Sequence, residues 1–458
     1  MIRLRLFVTL IVLGSFAGLL LSLNGCAGAS SHTHLQTGQI KHVVVIVQEN
    51  RSTDNLFQDP VLIARHADIA QSGQISTGRT IQLTQDDLEP GYDLSHNHPA
   101  FVAMYDGGKM DGANLIPMAC DPGETNCPPP NPPPYPQYMY VNPSELQPYF
   151  QMAEQYTFGD RMFQTNQGPS FPAHQFLISG TSAPTATSNL FASENVVGAE
   201  AGCIAPPGSF VKLIDPSGSE TQTQYPCFEH PTLTDLLDAK GISWRYYAPS
   251  AGSIWTGPDA IQHMCEPQTQ GGQLVCTGGP WKNVIIPQTH VLTDTVNQQL
   301  AQVTWVIPDG RASDHAGQND GSGPSWVASI VNAIGDSPYW ADTAIIITWD
   351  DWGGWYDHVA PNVINSYEYG FRVPLIVVSP YAKAQYISHV THDFGSILKF
   401  IEGTYGLGSL GYADAPADDL SDCFNLNQTP LKFQTIAAPL NADYFLNDHR
   451  PPTDPDDD

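Results

Sequence analysis

Two segments decide the fold of this sequence, HVVVIVQENRSTDNLF at residues 42–57 and AIIITWDDWGG at residues 344–354. Each segment opens with a continuous run of apolar, mostly β-branched residues and then turns abruptly polar. Continuous apolar runs without alternation are typical of strands that are buried on both faces of a parallel sheet. Similar runs occur at Val303–Ile307 and Val373–Val378. The sequence therefore predicts a core of buried parallel strands.

Helical periodicity fills the stretches between these strands. Thr232–Lys240 stops at Gly241, and Ser325–Ile334 places its large apolar residues on one face. A third apolar stripe begins at Phe394 and is ended by Gly403. Strands that alternate with helices predict an α/β fold, in which helices cover both faces of an open, mostly parallel sheet.

Composition and charge restrict the class of protein. The 458 residues include 18 Lys+Arg and 46 Asp+Glu, which gives a formal net charge of −28. Such a negative surface disfavours nucleic acid as a partner and electrostatic docking on anionic lipid. With 41% hydrophobic residues the chain can bury a large core, which excludes a wholly disordered protein. We predict one large domain over residues 40–445.

The amino terminus predicts export from a bacterial cytoplasm. Two arginines in the first five residues precede the apolar run Leu6–Leu23, so residues 1–25 are interpreted as a signal peptide. The residues LNGC at 23–26 resemble a lipobox, which predicts a lipid anchor on Cys26 and attachment to the membrane outside the cytoplasm. An ordinary signal peptide cut near Ala29, giving a secreted or periplasmic protein, is the alternative. Residues 26–39 are polar and predict a flexible tether.

The other seven cysteines suit an oxidising compartment. Local pairing gives Cys120–Cys127, Cys203–Cys227 and Cys265–Cys276, and leaves Cys423 as a buried thiol. Sequence alone does not fix the connectivity, so these pairs are expectations.

Three further stretches depart from the α/β pattern. Insertions are predicted near residues 113–145, which are rich in proline, and near 181–230, which are rich in Ser, Thr, Gly and Pro. Residues 446–458 end in PPTDPDDD and predict an acidic, disordered tail.

Two strand ends carry adjacent oxygen ligands. Glu49 and Asn50 follow the first strand, and Asp350 and Asp351 follow the strand AIIITW. Open α/β sheets bind ligands beyond the carboxyl ends of their strands. Carboxylate and amide oxygens favour a hard or borderline divalent cation, although Asn and Asp at such places also serve as turn residues.

A serine and three histidines complete the candidate chemistry. Ser170 lies in the turn QGPSFPAH, where flanking Gly and Pro residues restrict the backbone. A serine hydroxyl becomes a nucleophile only when a base or a metal activates it. His96, His263 and His315 stand in polar surroundings, where any one of them could equally be a surface or structural histidine.

Five ordered blocks resemble the bacterial phosphoesterase family of the alkaline-phosphatase-like superfamily. The first is the segment quoted above, and the others are GGKMDG (107–112), GPSFPAHQFLISGTS (168–182), DDWGGWYDHVAP (350–361) and THDFGSILKFIE (391–402). That family includes non-haemolytic phospholipase C and a group of acid phosphatases. The resemblance implies an alkaline-phosphatase-like sheet and hydrolysis of phosphate esters.

The resemblance also implies roles for particular residues. One divalent metal ion, Ca, Mg, Mn or Zn, is expected to be held by Glu49, Asn50, Asp350, Asp351 and Ser170. Ser170 is then the nucleophile of a phosphoserine mechanism, and the family's histidines match His96, His263 and His315. At residues 172–174 this chain reads Pro-Ala-His where many members carry Pro-Asn-Arg or Pro-Asn-His.

Several functions remain open at this point. An acid phosphatase is the favoured expectation, since the sequence ends without the additional carboxy-terminal β domains of the larger phospholipases. A phospholipase C acting on phosphatidylcholine-type lipids is the alternative. A sulfatase shares the spacing of Ser170 and Pro172, but its signature carries arginine where this chain has His174. A non-catalytic surface-binding lipoprotein is the rival from another class.

Overall fold

An eight-stranded sheet organises the part of the chain that the structure describes. The structure is a computed structural model, and it describes residues 38–119 and 132–453. The strands of the sheet are β1 (His42–Gln48), β2 (Thr157–Gly159), β3 (Trp244–Tyr247), β4 (Val284–Ile285), β5 (Val303–Val306), β6 (Thr343–Trp349), β7 (Leu375–Val378) and β8 (Tyr386–Ser388). Their spatial order is β4-β3-β5-β1-β6-β7-β2-β8.

The sheet is mixed and mostly parallel, which confirms the predicted fold class. Only β7 runs against its neighbours, since it pairs antiparallel with both β6 and β2. The prediction of a parallel strand at Val373–Val378 is therefore wrong. The chain leaves β6 through residues 350–374, which contain no helix among their described positions, and returns beside it without the helical crossover that a parallel pair requires.

Helices cover both faces of the sheet. Every residue of β6 is buried, and because successive side chains of a strand point to opposite faces, both faces must be covered. The helices are α1 (Thr53–Leu56), α2 (Pro60–Ala64), α3 (His98–Tyr105), α4 (Gln147–Gln155), α5 (Ser170–Ser179), α6 (Leu233–Lys240), α7 (Gln262–Cys265), α8 (His290–Val296), α9 (Gly323–Gly335), α10 (Phe394–Tyr405) and α11 (Ala442–Leu446). The helix α5 packs on α10, and α4 packs on α9.

The three helices predicted from periodicity are present, although α9 and α10 extend beyond the predicted bounds. The helix α10 continues beyond Gly403 and ends at Gly406, which adopts the left-handed conformation with φ 61°. Gly403 has no neighbouring atom near the position of a Cβ, so the helix passes through it without a packing cost. Among the described residues, none of the helices is both long enough and apolar enough to traverse a lipid bilayer.

Short strands build small sheets around the main one. They are Ser72–Gln74, Thr80–Gln82, Thr84–Asp86, Asp93–Leu94, Met118–Ala119, Met139–Val141, Met162–Phe163, Phe191–Ala192, Val211–Ile214, Gln222–Gln224, Pro267–Gln270, Gln273–Cys276 and His392–Asp393. Three of these strands form one sheet inside the predicted insertion at 181–230.

The disulfides of the described region agree with local pairing. Cys203 is bonded to Cys227 and Cys265 to Cys276, and Cys423 is a buried free thiol. The predicted Cys120–Cys127 pair, the signal peptide and Cys26 lie outside the described residues. Of the predicted tail, the structure describes residues through Thr453, whose carbonyl accepts a hydrogen bond from the Gly310 amide.

A buried ion-pair network fixes the loop after β6 against α1. The fully buried guanidinium of Arg372 lies 2.8 Å from a carboxylate oxygen of Asp357 and 3.1 Å from one of Asp54. His358 places one ring nitrogen 2.7 Å from Asp54 and the other 3.0 Å from Asp68. The positive charge of Arg372 therefore compensates carboxylates that could otherwise have attracted a metal ion.

The network predicts a pH-dependent contribution to stability from His358. Burial lowers the pKa of this imidazole, but the hydrogen bond and charge of Asp54 outweigh burial and raise the pKa to about 9. A raised pKa stabilises the fold fully below the unfolded value of about 6.5, and that stabilisation disappears as the pH rises toward 9. The free energy of unfolding of the wild type, relative to that of His358→Gln, should therefore decrease between about pH 6.5 and 9.

Urea denaturation across this pH range, with a chelator present, measures the effect. His389→Gln is a matched control, because His389 also contacts a carboxylate, that of Asp160 at 2.8 Å, but is 53% exposed. A difference between wild type and His358→Gln that stays constant over this range would contradict the prediction.

Candidate functional site

The register between β1 and β6 creates the site. The strands pair in parallel from His42 opposite Thr343 to Gln48 opposite Trp349. The pairing continues past the strand ends, because the amide of Asp350 donates to the carbonyl of Gln48 at 3.0 Å. Glu49 and Asn50 therefore lie beside Asp350 and Asp351, as the sequence predicted.

The two strand ends approach so closely that their backbone is constrained. Asn50 adopts a left-handed conformation with φ 60°, and its backbone N–H group donates to the Oδ1 atom of Asp350 at 3.0 Å. Gly353 also has a positive φ, 62°, and a Cβ at this position would lie 2.1 Å from the carbonyl oxygen of Asn50. Only glycine fits here, so the DDWGG segment is required for the contact between the two loops.

Ser170 enters this site from the first turn of α5. Pro169 precedes the helix, and the Ser170 hydroxyl donates to the Oδ2 atom of Asp351 at 3.3 Å. The next amide, that of Phe171, donates to the Oδ1 atom of Asn195 at 2.9 Å. Asn195 belongs to the predicted insertion at 181–230, so the insertion supports the first turn of α5.

His174 lies one turn further along α5 and faces the carboxylates. Its Nε2 atom is 3.3 Å from Oε1 of Glu49 and 3.9 Å from Oδ2 of Asp350, and all three side chains are fully buried. Burial lowers the pKa of His174 to about 4, although the charge of Asp350 opposes the shift. The imidazole is therefore neutral at neutral pH, and a neutral imidazole does not compensate the carboxylates.

His96 orients the side-chain amide of Asn50. Its Nδ1 atom lies 2.9 Å from the carbonyl oxygen of Leu94, which can only accept, so Nδ1 carries the hydrogen of a neutral ring. The Nε2 atom then accepts from the Asn50 amide nitrogen at 2.9 Å. This contact turns the Oδ1 atom of Asn50 away from His96. The same Nε2 atom is 4.0 Å from Asp351.

His315 also lies in the site. Its Nδ1 atom donates to the carbonyl oxygen of Ala316 at 2.7 Å, so the buried Nε2 atom is where the ring can gain a proton. The centre of the His315 ring is 5.8 Å from that of His96 and 6.2 Å from that of Trp255.

His263 is not brought to these groups. One of its ring nitrogens lies 2.8 Å from Glu229 and the other 3.1 Å from Asp235, and the side chain is 30% exposed. The hydrogen bond to Asp235 is the main reason that its pKa rises to about 9. Because both nitrogens contact carboxylates at the surface, the geometry gives no support to the predicted catalytic role of His263.

The donor atoms of this site fit a divalent cation. Among the described residues, the buried Oδ2 atom of Asp350 and the buried Oδ1 atom of Asn50 have no hydrogen-bond partner. The neighbouring guanidinium of Arg51 points elsewhere, since it donates to the carbonyl oxygens of Asp314 and Leu88, both at 2.7 Å. Buried carboxylates need a compensating charge, and oxygen atoms with one imidazole nitrogen are suitable metal ligands.

Two residues of the site escaped prediction, His174 and Asn195. The spacing of His174 contained a usable signal, because residues four positions apart lie on one face of a helix and Ser170 was already a candidate. Asn195 carried no comparable signal, since its position depends on how the insertion folds back on α5.

Comparisons with known proteins relate the sequence to phosphoesterases. A model of the Phosphoesterase family matches residues 40–408. Non-hemolytic phospholipase C of Pseudomonas aeruginosa is 22% identical over 447 residues, which cover 86% of this chain and 58% of that protein. Phospholipase C B of Mycobacterium tuberculosis is 21% identical over 446 residues, which cover 85% and 78%.

The chain spans a little over half the length of the Pseudomonas relatives, 58% of the non-hemolytic and 54% of the hemolytic enzyme. Among solved structures, a protein of the alkaline phosphatase superfamily from Vibrio parahaemolyticus aligns with 84% of this chain and 70% of its own. Its TM-score is 0.38 and its sequence identity is 11%.

The glycine at position 353 provides a test of the contact between the two loops. Gly353→Ala should lower the free energy of unfolding by more than the roughly 1–2 kcal/mol that a left-handed alanine costs, because its Cβ would overlap the carbonyl of Asn50. Gly78→Ala is the matched control, since Gly78 has φ 79° but no atom near its Cβ position. Urea denaturation of both variants measures the difference, and equal losses would contradict the predicted overlap.

Proposed function

The chain belongs to the Phosphoesterase family, and we propose that it is a metal-dependent phosphoric ester hydrolase that works through a phosphorylated Ser170. One observation carries the proposal: a serine hydroxyl at a helix N-terminus lies 3.3 Å from Asp351, beside Glu49 and Asp350. Serine at such a place is well situated to attack an anionic centre, since a helix N-terminus favours negative charge.

The residues Glu49, Asn50, Asp350, Asp351 and Ser170 are proposed to hold one divalent cation. When bound, such an ion polarises a phosphate oxygen and stabilises negative charge that develops in the transition state. Asp350 and Asn50 have buried oxygen atoms without hydrogen-bond partners among the described residues, and these atoms are suitable ligands for a hard or borderline ion.

The proposed chemistry proceeds in two displacement steps. The Ser170 oxygen forms a bond to phosphorus while its proton passes to Oδ2 of Asp351, and the bond from phosphorus to the leaving oxygen breaks. The leaving oxygen takes a proton from His315, whose Nε2 atom is the protonatable position. Water then attacks the phosphoserine, loses a proton to the neutral His315, and returns Ser170 to its hydroxyl form when Asp351 gives back the first proton.

His96 is proposed to act mainly by positioning. It fixes the orientation of the Asn50 side-chain amide, whose nitrogen donates to the Nε2 atom of His96 at 2.9 Å. His315 must carry a second proton to protonate the leaving oxygen, which favours activity at acid pH.

Two substrate classes are compatible with this chemistry. The relatives described above carry the name phospholipase C, which favours a phospholipid as substrate. An acid phosphatase is the second candidate, and it is supported by the net charge of −28, because protonation at acid pH reduces the self-repulsion of an acidic protein.

We further propose that the protein works outside the cytoplasm. The disulfides Cys203–Cys227 and Cys265–Cys276 support an oxidising compartment. Attachment to the membrane through a lipid on Cys26 remains a prediction from the sequence.

Replacement of the nucleophile is the primary test. Ser170→Ala should reduce hydrolysis of p-nitrophenyl phosphate by more than about 10⁴-fold, since removal of a serine nucleophile typically costs that much or more. Ser179→Ala is a matched control, because Ser179 is an equally buried serine at the other end of α5. If Ser170→Ala is as active as the control, Ser170 is not the nucleophile. If the wild type is inactive as well, a non-catalytic binding protein is favoured.

Removal and return of metal test the second part of the proposal. Dialysis against a chelator should abolish turnover, and Ca, Mg, Mn and Zn ions added separately should restore it unequally. Phosphatidylcholine vesicles assayed beside p-nitrophenyl phosphate then distinguish the phospholipase from the phosphatase. Full activity in the presence of chelator would contradict metal dependence, and an optimum above about pH 8 would contradict the acid phosphatase.

A further inference from the structure

We propose that His174 supplies a nitrogen ligand to the metal ion, so that this site prefers a borderline transition-metal ion to calcium or magnesium. The inference rests on the proposed function, because it assigns a ligand to the same ion. It adds to a ligand set that was otherwise composed of oxygen atoms alone.

The distances around His174 are those of ligands that share one ion. Nitrogen and oxygen ligands bind zinc at about 2.0–2.2 Å, so two ligands of one ion lie roughly 3–4 Å apart. The Nε2 atom of His174 is 3.3 Å from Glu49 and 3.9 Å from Asp350. One ligand atom from each of these three residues can be chosen so that all lie within 4.8 Å of one another.

The same distances do not suit a hydrogen bond to a carboxylate. A charge-assisted bond from nitrogen to carboxylate is about 2.7–2.9 Å long. The two contacts between His174 and Glu49 measure 3.3 and 3.5 Å. The pair therefore leaves room for a cation between nitrogen and oxygen.

Tyr246 presents only the oxygen of its hydroxyl to the Nδ1 atom of His174. The Tyr246 hydroxyl donates its only hydrogen to the carbonyl oxygen of Trp255 at 2.9 Å. Its oxygen lies 3.5 Å from the Nδ1 atom of His174 and can therefore act only as an acceptor toward it. With the hydrogen on Nδ1, the lone pair of Nε2 faces the carboxylates, an arrangement that repels unless a cation lies between them.

This arrangement is typical of metal-binding histidines. A ligating imidazole commonly donates its other N–H group to a nearby acceptor, which fixes the ring and its tautomer. Tyr246 is fully buried, and its oxygen is placed to become that acceptor when an ion binds Nε2, so we assign it as a positioning residue. Imidazole suits zinc, iron, copper and nickel, whereas calcium and magnesium bind oxygen ligands.

Metal binding by the purified, metal-depleted full chain tests the inference without reference to activity. Competition with a chromophoric chelator gives the affinities for Zn²⁺ and Ca²⁺, and the wild type should bind Zn²⁺ more tightly. His174→Gln should weaken Zn²⁺ binding by more than the roughly 10–100-fold that a supporting residue costs. It should change Ca²⁺ binding little, because glutamine still offers an amide oxygen. Tyr246→Phe should weaken Zn²⁺ binding by roughly 10-fold.

The matched control is His230→Gln, which removes a similarly buried histidine whose Nδ1 atom lies 3.2 Å from the carbonyl oxygen of Pro231. This control should bind Zn²⁺ as the wild type does. Equal Zn²⁺ affinities of wild type and His174→Gln would overturn the inference.

Zinc X-ray absorption of the wild type keeps the test decisive if His174→Gln fails to fold. Scattering from one imidazole is expected, because the Nε2 atom of His96 is already occupied by Asn50. A zinc ion surrounded by oxygen alone would overturn the inference. The two proposals can fail separately. If Ser170→Ala abolishes hydrolysis but no imidazole is bound to the metal, the proposed function is retained and only the role of His174 is rejected. If zinc is bound through an imidazole but the protein has no hydrolytic activity, the role of His174 is retained and the proposed function is rejected.

Discussion

The structure depends on the residue-by-residue parallel pairing of β1 with β6. That register continues beyond Gln48 and Trp349 through a backbone hydrogen bond, and it forces two pairs of polar residues into one buried place. A slip of one residue would turn alternate side chains to the other face of the sheet and separate them. The hydrophobic strands thus do more than form a core, because they determine where negative charge accumulates.

The close approach of the two acidic strand ends depends on unusual backbone in the loops that follow them. Glycine at position 353 and the left-handed Asn50 allow two loops to approach within contact distance. Backbone of this kind is costly and persists where the surrounding structure enforces it, which is common at functional sites. The network around Arg372 then fixes the second loop from behind with a positive charge of its own.

Local sequence patterns were sufficient to locate four of the eight strands of the sheet, β1, β5, β6 and β7, and the acidic half of the site. Glu49, Asn50, Asp350 and Asp351 could be predicted because each follows directly on a recognisable buried strand. The direction of β7 could not be predicted, since an apolar run has the same appearance in either direction. His263 was assigned by resemblance, and its contacts with Glu229 and Asp235 depend on elements far apart in sequence.

The support that Asn195 gives to the amide of Phe171 changes how the 181–230 segment should be regarded in protein engineering. A long surface excursion with its own small sheet and disulfide resembles an accessory that could be trimmed or exchanged between relatives. Here it supplies the side chain that holds the first turn of α5 at 2.9 Å. A shortened chain or a chimera that keeps all five blocks of sequence that resemble the family, but replaces this excursion, would lose part of the frame that holds Ser170 in place.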